Sequence, residues 1–151
     1  MAELKYFGKE VSLEEYIKLQ VLINKGTNTR IQAYDLQGLL DDLEIKYKKT
    51  VTKKELLNLF FDYYNDFSEV ARILRIGVKV NQYTEAFSFV TKADIKRLER
   101  FGILKVVGKE RYRAYGKYLY ASLYDLEQFL NMTETDMKLL LEQYPKGKRK
   151  K

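Results

Sequence analysis

Histidine, cysteine and tryptophan are absent from this 151-residue chain, and proline occurs once. Without imidazole or thiol there is no zinc finger, no Cys or His nucleophile or base, and no disulfide framework. Only carboxylates remain to hold a metal, and they show no calcium-loop spacing, so neither a metal nor another cofactor is expected. No apolar run approaches the ~20 residues of a membrane span, and the acidic, Tyr-rich N-terminus lacks the apolar core of a signal peptide. The expectation is a cytoplasmic protein that does not enter a membrane. Absent cysteine agrees with a reducing compartment, although many extracellular proteins of Gram-positive bacteria lack it too. An enzyme would have to work with Tyr, Ser, Lys and carboxylates. No clustered acids accompany any of the 13 tyrosines, so catalysis is not expected.

What is present is apolar material (46%, with 14% aromatic) sufficient for one compact domain or two small ones. The formal charge of +7 is unevenly placed: residues 1–65 hold 10 basic and 10 acidic side chains, and residues 66–151 hold 18 and 11. A polyanionic partner should meet the second part first. Five of its cations form the tail Lys146-Gly-Lys-Arg-Lys-Lys151 after Pro145, which reads either as a solvated end or as a phosphate-seeking arm.

Five segments show a capping residue followed three positions later by a carboxylate: Ser12–Glu15, Thr52–Glu55, Asp66–Glu69, Thr91–Asp94 and Thr133–Asp136. Helices are expected near 12–24, 33–43, 52–64, 67–75, 91–101, 124–131 and 133–143. Between 103 and 123, β-branched and aromatic residues broken by Gly108-Lys109 and Gly116-Lys117 predict two turns joining three short antiparallel strands. The fold class is mostly α with a small antiparallel β-sheet.

Sliding the sequence by 59 residues aligns Thr29-Arg-Ile-Gln-Ala-Tyr-Asp-Leu36 with Ser88-Phe-Val-Thr-Lys-Ala-Asp-Ile95, and continues through Leu39 with Leu98 and Ile45-Lys46-Tyr47 with Leu104-Lys105-Val106. At a slide of 56, Val11-Ser12 and Ile17 align with Phe67-Ser68 and Ile73, which puts an insertion within 77–87. Each unit then reads helix, connection, helix, strand. Amphipathic periodicity alone also makes helices resemble one another. The division expected is a charge-neutral unit over 1–65, a basic unit over 66–131, a C-terminal helix over 132–145 and the tail over 146–151.

That order is the plan of a winged helix-turn-helix, here in tandem. In the 91–101 helix, Ile95, Leu98 and Gly102 lie on one side with Phe101 at its edge, while Ala93, Lys96, Arg97 and Arg100 project from the other. Arg97 and Arg100 are candidates to enter a major groove, where guanidinium reads guanine, with Lys96 neutralising phosphate and small Ala93 allowing close approach. The other reading is an ordinary solvated face, partly paired with Glu99 and Asp94. The hairpin that follows carries Lys109, Arg111, Arg113 and Lys117. Alternation puts Arg111 and Arg113 on one face, away from Tyr112, in the manner of a wing along the sugar-phosphate backbone. Tyr112, Tyr118, Tyr120 and Tyr124 either stack unpaired bases or pack the sheet against helices.

The run Val90-Thr-Lys-Ala-Asp-Ile-Lys-Arg-Leu-Glu-Arg-Phe-Gly-Ile-Leu104, a basic hairpin, and Tyr124-Asp-Leu-Glu-Gln-Phe-Leu130 together resemble the excisionase and MerR-type winged-helix group over residues 67–131. In that group a recognition helix ends in a Gly-Ile or Gly-Leu step, a basic hairpin follows and a Tyr-x-x-Asp-Leu helix closes the unit. The chain departs from the pattern in the long connection between its first two helices and in having Tyr-Asp-Leu, one residue shorter. A tandem of such units also resembles the TraN-type DNA-binding proteins of Gram-positive conjugative plasmids. That resemblance implies an internal dimer of winged units on double-stranded DNA near a transfer origin, with relaxosome or transfer proteins as further partners. It implies DNA contacts at Thr91, Lys92, Lys96, Arg97 and Arg100 in the second unit, with Lys105, Lys109, Arg111, Arg113 and Lys117 in its wing. In the first unit it implies Thr29, Arg30, Gln32, Tyr34 and Gln37.

The first unit is the weaker DNA binder, because its second helix ends in Asp41-Asp42, which repel phosphate. A competing reading takes residues 33–60 as a SAP-like helix-extended-helix module, with Leu36, Leu39, Leu40 and Leu43 before a Lys46–Lys54 loop. The expectation is a non-enzymatic, sequence-preferring double-stranded DNA binder, monomeric because two fused units replace a homodimer, and serving transfer or recombination of a mobile element. The alternative is a protein-protein adaptor or a phage- or plasmid-encoded inhibitor.

Overall fold

The computed structural model describes residues 3–6, 9–23, 31–48 and 50–147. Two short antiparallel strands, β1 (Lys5–Tyr6) and β2 (Lys9–Glu10), lead into α1 (Leu13–Lys18), which continues as a π-helical turn over Leu19–Ile23. Helices α2 (Ala33–Asp42), α3 (Lys53–Tyr63) and α4 (Phe67–Ile73) follow. The second half runs β3 (Gly77–Val78), α5 (Val80–Ala86), α6 (Lys92–Arg100), β4 (Val106–Ala114), β5 (Lys117–Asp125), α7 (Leu126–Asn131) and α8 (Glu134–Gln143). The architecture is mostly helical with a small antiparallel sheet of order β3-β5-β4.

All five expected capping residues cap. Ser12, Thr52, Thr91 and Thr133 each accept an amide hydrogen from the residue three positions on, and Asp66 accepts from Ser68. At Thr91 and Thr133 the third-position aspartate also accepts the capping residue's own N–H, closing a reciprocal pair of bonds. Strand β5 runs to Asp125, so the helix expected from 124 starts at Leu126, with Asp125 accepting from the Gln128 amide.

Three expectations need correction. Between 103 and 123 there is one hairpin of two nine-residue strands, not three short strands. Its turn is Tyr115-Gly116, whose φ angles of 53° and 72° are the left-handed pair that a tight hairpin needs. Gly108-Lys109 lies inside β4, where the register shifts between Val106 and Gly108 at a bulge. The third strand of the sheet is Gly77–Val78, and with α5 it occupies the segment expected to be an insertion. Finally, no strand lies between α2 and α3 among the described residues. Leu43, Ile45 and Tyr47 alternate half-buried with exposed neighbours, as a strand would, but no strand among the described residues pairs with them. Residues 33–63 therefore run helix, extended segment, helix.

Buried side chains from Leu4 to Met137 form a single cluster, so the core runs across the boundary expected near residue 65. Helix α1 packs on α4, and the Tyr16 hydroxyl donates to the Gly77 carbonyl oxygen at 2.7 Å. The Gln82 side chain accepts from the Lys5 amide and donates to the Lys5 carbonyl, tying β1 to α5. Gly77 permits the close antiparallel pairing of β3 with β5: a Cβ there would lie 2.6 Å from the Tyr124 carbonyl oxygen and 2.9 Å from Val107 Cγ2.

Candidate nucleic-acid interface

Helix α6 buries Ile95 and Leu98, as its apolar spacing predicts, while Gly102 instead ends the helix with a φ of 73°. Lys92, Ala93, Lys96 and Arg100 are exposed, and Thr91 is exposed as the capping residue. Arg97 is the exception and corrects the expected DNA-facing set. It is only 6% exposed, its Nε–H donates to the Tyr144 carbonyl oxygen at 2.7 Å, and its Nη2 pairs with Asp94 Oδ1 at 2.7 Å. The end of α8 covers this flank of α6, and the Phe101 and Tyr144 rings meet at 5.1 Å. Arg97 is a structural clamp within the fold and presents no group to a groove.

The acids of this region also turn inward. Glu99 accepts from the Tyr124 hydroxyl at 2.6 Å, joining α6 to the root of the hairpin. Burial, and then this bond to Glu99, push the Tyr124 hydroxyl well above its ordinary range. Glu110, 4% exposed, pairs with Lys79 Nζ at 3.0 Å. Asp94 is committed to Thr91 and Arg97. Burial works against ionisation of its carboxyl, but the Thr91 amide, the Arg97 guanidinium and the Thr91 hydroxyl outweigh it and hold Asp94 below the ordinary carboxylate range. Gln128 fixes the link between α6 and β4: it accepts from the Lys105 amide at 2.9 Å and donates to the Ile103 carbonyl at 2.8 Å.

On the hairpin, Lys105, Lys109, Arg111, Arg113 and Lys117 are all exposed. The register sets Arg111 opposite Tyr120 and Arg113 opposite Tyr118, so these four share one face, with Lys109 two positions along; Lys117, opposite Ala114, lies on the other. The Arg111 guanidinium lies 4.6 Å from the Tyr118 ring centre and that of Arg113 5.9 Å from it. Tyr118 and Tyr120 are 58% and 64% exposed, whereas Tyr124 is fully buried, so only the last packs the sheet as a core tyrosine; the Tyr112 side chain lies outside what is described. Tyr115, at the turn, is 98% exposed.

No family model matches the chain, and neither a curated protein nor a solved structure matches it. In the first unit, Thr29 and Arg30 lie outside the described residues. Gln32 is the residue before α2, its amide donating to Asp35 Oδ2 at 2.7 Å; Tyr34 is exposed, Gln37 is half-buried, and Asp41 and Asp42 are exposed beyond them. Among the described residues, the candidates of this unit include no cation, and the carboxylates of Asp41 and Asp42 lie on the same helix. Of the tail, Lys146 and Gly147 are exposed and residues 148–151 lie outside the described set. Among the described residues no three carboxylates converge as metal ligands, and no helix is long and apolar enough to cross a membrane.

The resulting charge separation was only half legible in the sequence. Residues 91–117 contain nine cations and three acids. Eight of the cations are exposed, and all three acids are engaged by partners inside the fold: Asp94 by Arg97, Glu99 by Tyr124 and Glu110 by Lys79. Lys96 also lies 3.9 Å from Glu99, a contact too long and too exposed to neutralise it.

Proposed function

We propose that the chain is a sequence-preferring double-stranded DNA-binding protein whose second half is a winged helix-turn-helix, with α6 as recognition helix and the β4–β5 hairpin as wing. The observation that carries this reading is the separation of charge over residues 91–117, which leaves Lys92, Lys96, Arg100, Lys109, Arg111 and Arg113 facing solvent while the acids face inward. The order α4, β3, α5, α6, β4, β5 with sheet order β3-β5-β4 supports it, because this is the winged arrangement, with the hairpin following the recognition helix directly. Arg100 and Lys96 are the base-edge or groove contacts, small Ala93 admits the backbone, and the hairpin clamps phosphates. Service as an accessory or regulatory factor of conjugative transfer or recombination rests on the resemblance of residues 67–131 and of the tandem plan alone.

Salt-dependent binding to duplex DNA tests the reading. The logarithm of the affinity should fall against that of salt concentration with a slope of roughly −4 to −7, for about five to eight phosphates neutralised. Undetectable duplex binding at ~50 mM salt overturns it in favour of the protein-protein adaptor.

A further inference from the structure

Resting on that DNA-binding reading, we propose that the hairpin's Tyr-Arg face and its tip form a stacking platform for unpaired bases, so that the protein prefers duplexes bearing a single-stranded arm over blunt ones. The wing needs only cations to hold phosphates, yet it also displays three tyrosines that the fold leaves in solvent. Tyr115 is 98% exposed at a φ of 53°. The left-handed region is costly for a residue with a Cβ and favours Asn or Gly at this turn position, and no packing of the ring offsets that cost. Tyr118 and Tyr120, 58% and 64% exposed, follow on one strand face, flanked by Arg111 and Arg113. Alternate residues of a strand stand roughly 6.8 Å apart. That is about twice the 3.4 Å step of stacked bases, so the spacing matches one base between two rings, with the Arg111 guanidinium, 4.6 Å from the Tyr118 ring centre, as the group it would stack beside or displace. Arginine and tyrosine planes both stack on bases without regard to sequence, and the cations match the phosphates that link those bases. In an intact duplex the base faces are covered by their neighbours. Exposed rings therefore gain a partner only where bases are unpaired.

The test uses the full chain, a blunt 20-base-pair duplex, and the same duplex with a five-nucleotide single-stranded arm containing 2-aminopurine. The armed duplex should bind about 10-fold tighter, with 2-aminopurine fluorescence quenched on binding. Replacing both Tyr118 and Tyr120 by Thr, which keeps strand propensity, should abolish the quench and the armed-duplex advantage and leave blunt-duplex affinity within about twofold. Tyr115→Asn should reduce the advantage while keeping or raising the melting temperature, so the inference stays testable if the Thr variant does not fold. Equal affinity for the two duplexes, an unquenched probe, or quenching that survives in the variants overturns the platform and leaves the duplex reading standing. Binding confined to the armed duplex supports the platform and overturns duplex recognition, and binding to neither overturns both.

Discussion

The Arg97 side chain donates from Nε to the carbonyl oxygen of Tyr144 at 2.7 Å, across 47 positions of sequence. This bond closes the C-terminal end of α8 against the flank of α6. The carbonyl is one of the acceptors a helix end leaves without an intrahelical partner, and the guanidinium supplies it with a charge-assisted bond. Pro145 and Lys146, where the basic tail starts, therefore leave the fold beside the candidate recognition helix.

Arg97→Met is expected to act on stability. It removes the charge-assisted bond to the Tyr144 carbonyl and the ion pair with Asp94, at a cost of about 2–3 kcal/mol. Urea unfolding should show the loss. At temperatures where the variant is folded, its preference among duplex sequences should equal that of the parent. A change in that preference would return Arg97 to the DNA-facing set.

Asp94 makes the same contact pH-dependent. Its carboxyl is held below the ordinary value of 3.8 in the folded chain, so ionised Asp94 contributes stability that is fully present above the unfolded value. That contribution is lost as pH falls through the folded value. Between pH 5 and pH 2.5 the urea midpoint of Asp94→Asn should fall less than that of the parent. Parallel decline of the two proteins would show that Asp94 carries no acid sensitivity.

How much of this was legible follows the range of each interaction. The capped helix starts are local patterns three residues long, and all five formed. Helix α5 is preceded by Lys79, which makes no side-chain capping bond, so nothing local marked it. The stretch after α2 shows strand-like alternation at Leu43, Ile45 and Tyr47, but pairing depends on a neighbour that the alternation does not reveal. Arg97 lies four residues before Phe101, one turn away on the same flank, and its aliphatic stem can run inward beside that ring, which meets Tyr144. The carbonyl that receives its head lies in another helix. A weak signal was available in the Asp94–Arg97 spacing, which favours pairing along the helix over readiness for DNA.

Glu110 and Lys79 form the other buried junction, between β4 and the residue preceding α5. Glu110 Oε2 meets Lys79 at 3.0 Å, and Oε1 is buried without a hydrogen-bond partner among the described residues. Lys79→Met should cost about 2 kcal/mol, below the usual figure for a broken buried pair because the lysine is 40% exposed. Adding Glu110→Met should recover most of that loss, since the isolated carboxylate, not the missing attraction, is the larger cost. A double-mutant cycle by urea unfolding checks this, and additive losses would contradict it.

On the proposed DNA-binding reading, with Arg97 committed to the fold, base contact from α6 would fall to Arg100, which is exposed and has no partner among the described residues. Lys109 is exposed on the hairpin, where contact with the sugar-phosphate backbone carries no base information. Arg100→Ala should therefore cost about 1–3 kcal/mol on the preferred duplex and less on random sequence, narrowing the gap between them. Lys109→Ala should weaken every duplex alike and make the salt slope shallower by about one. Fluorescence anisotropy titrations of both variants on two duplexes at three salt concentrations separate these outcomes. Equal, sequence-blind losses from both would make α6 and the hairpin a single phosphate clamp, because a helix that reads bases has to lose discrimination when its reading side chain is removed.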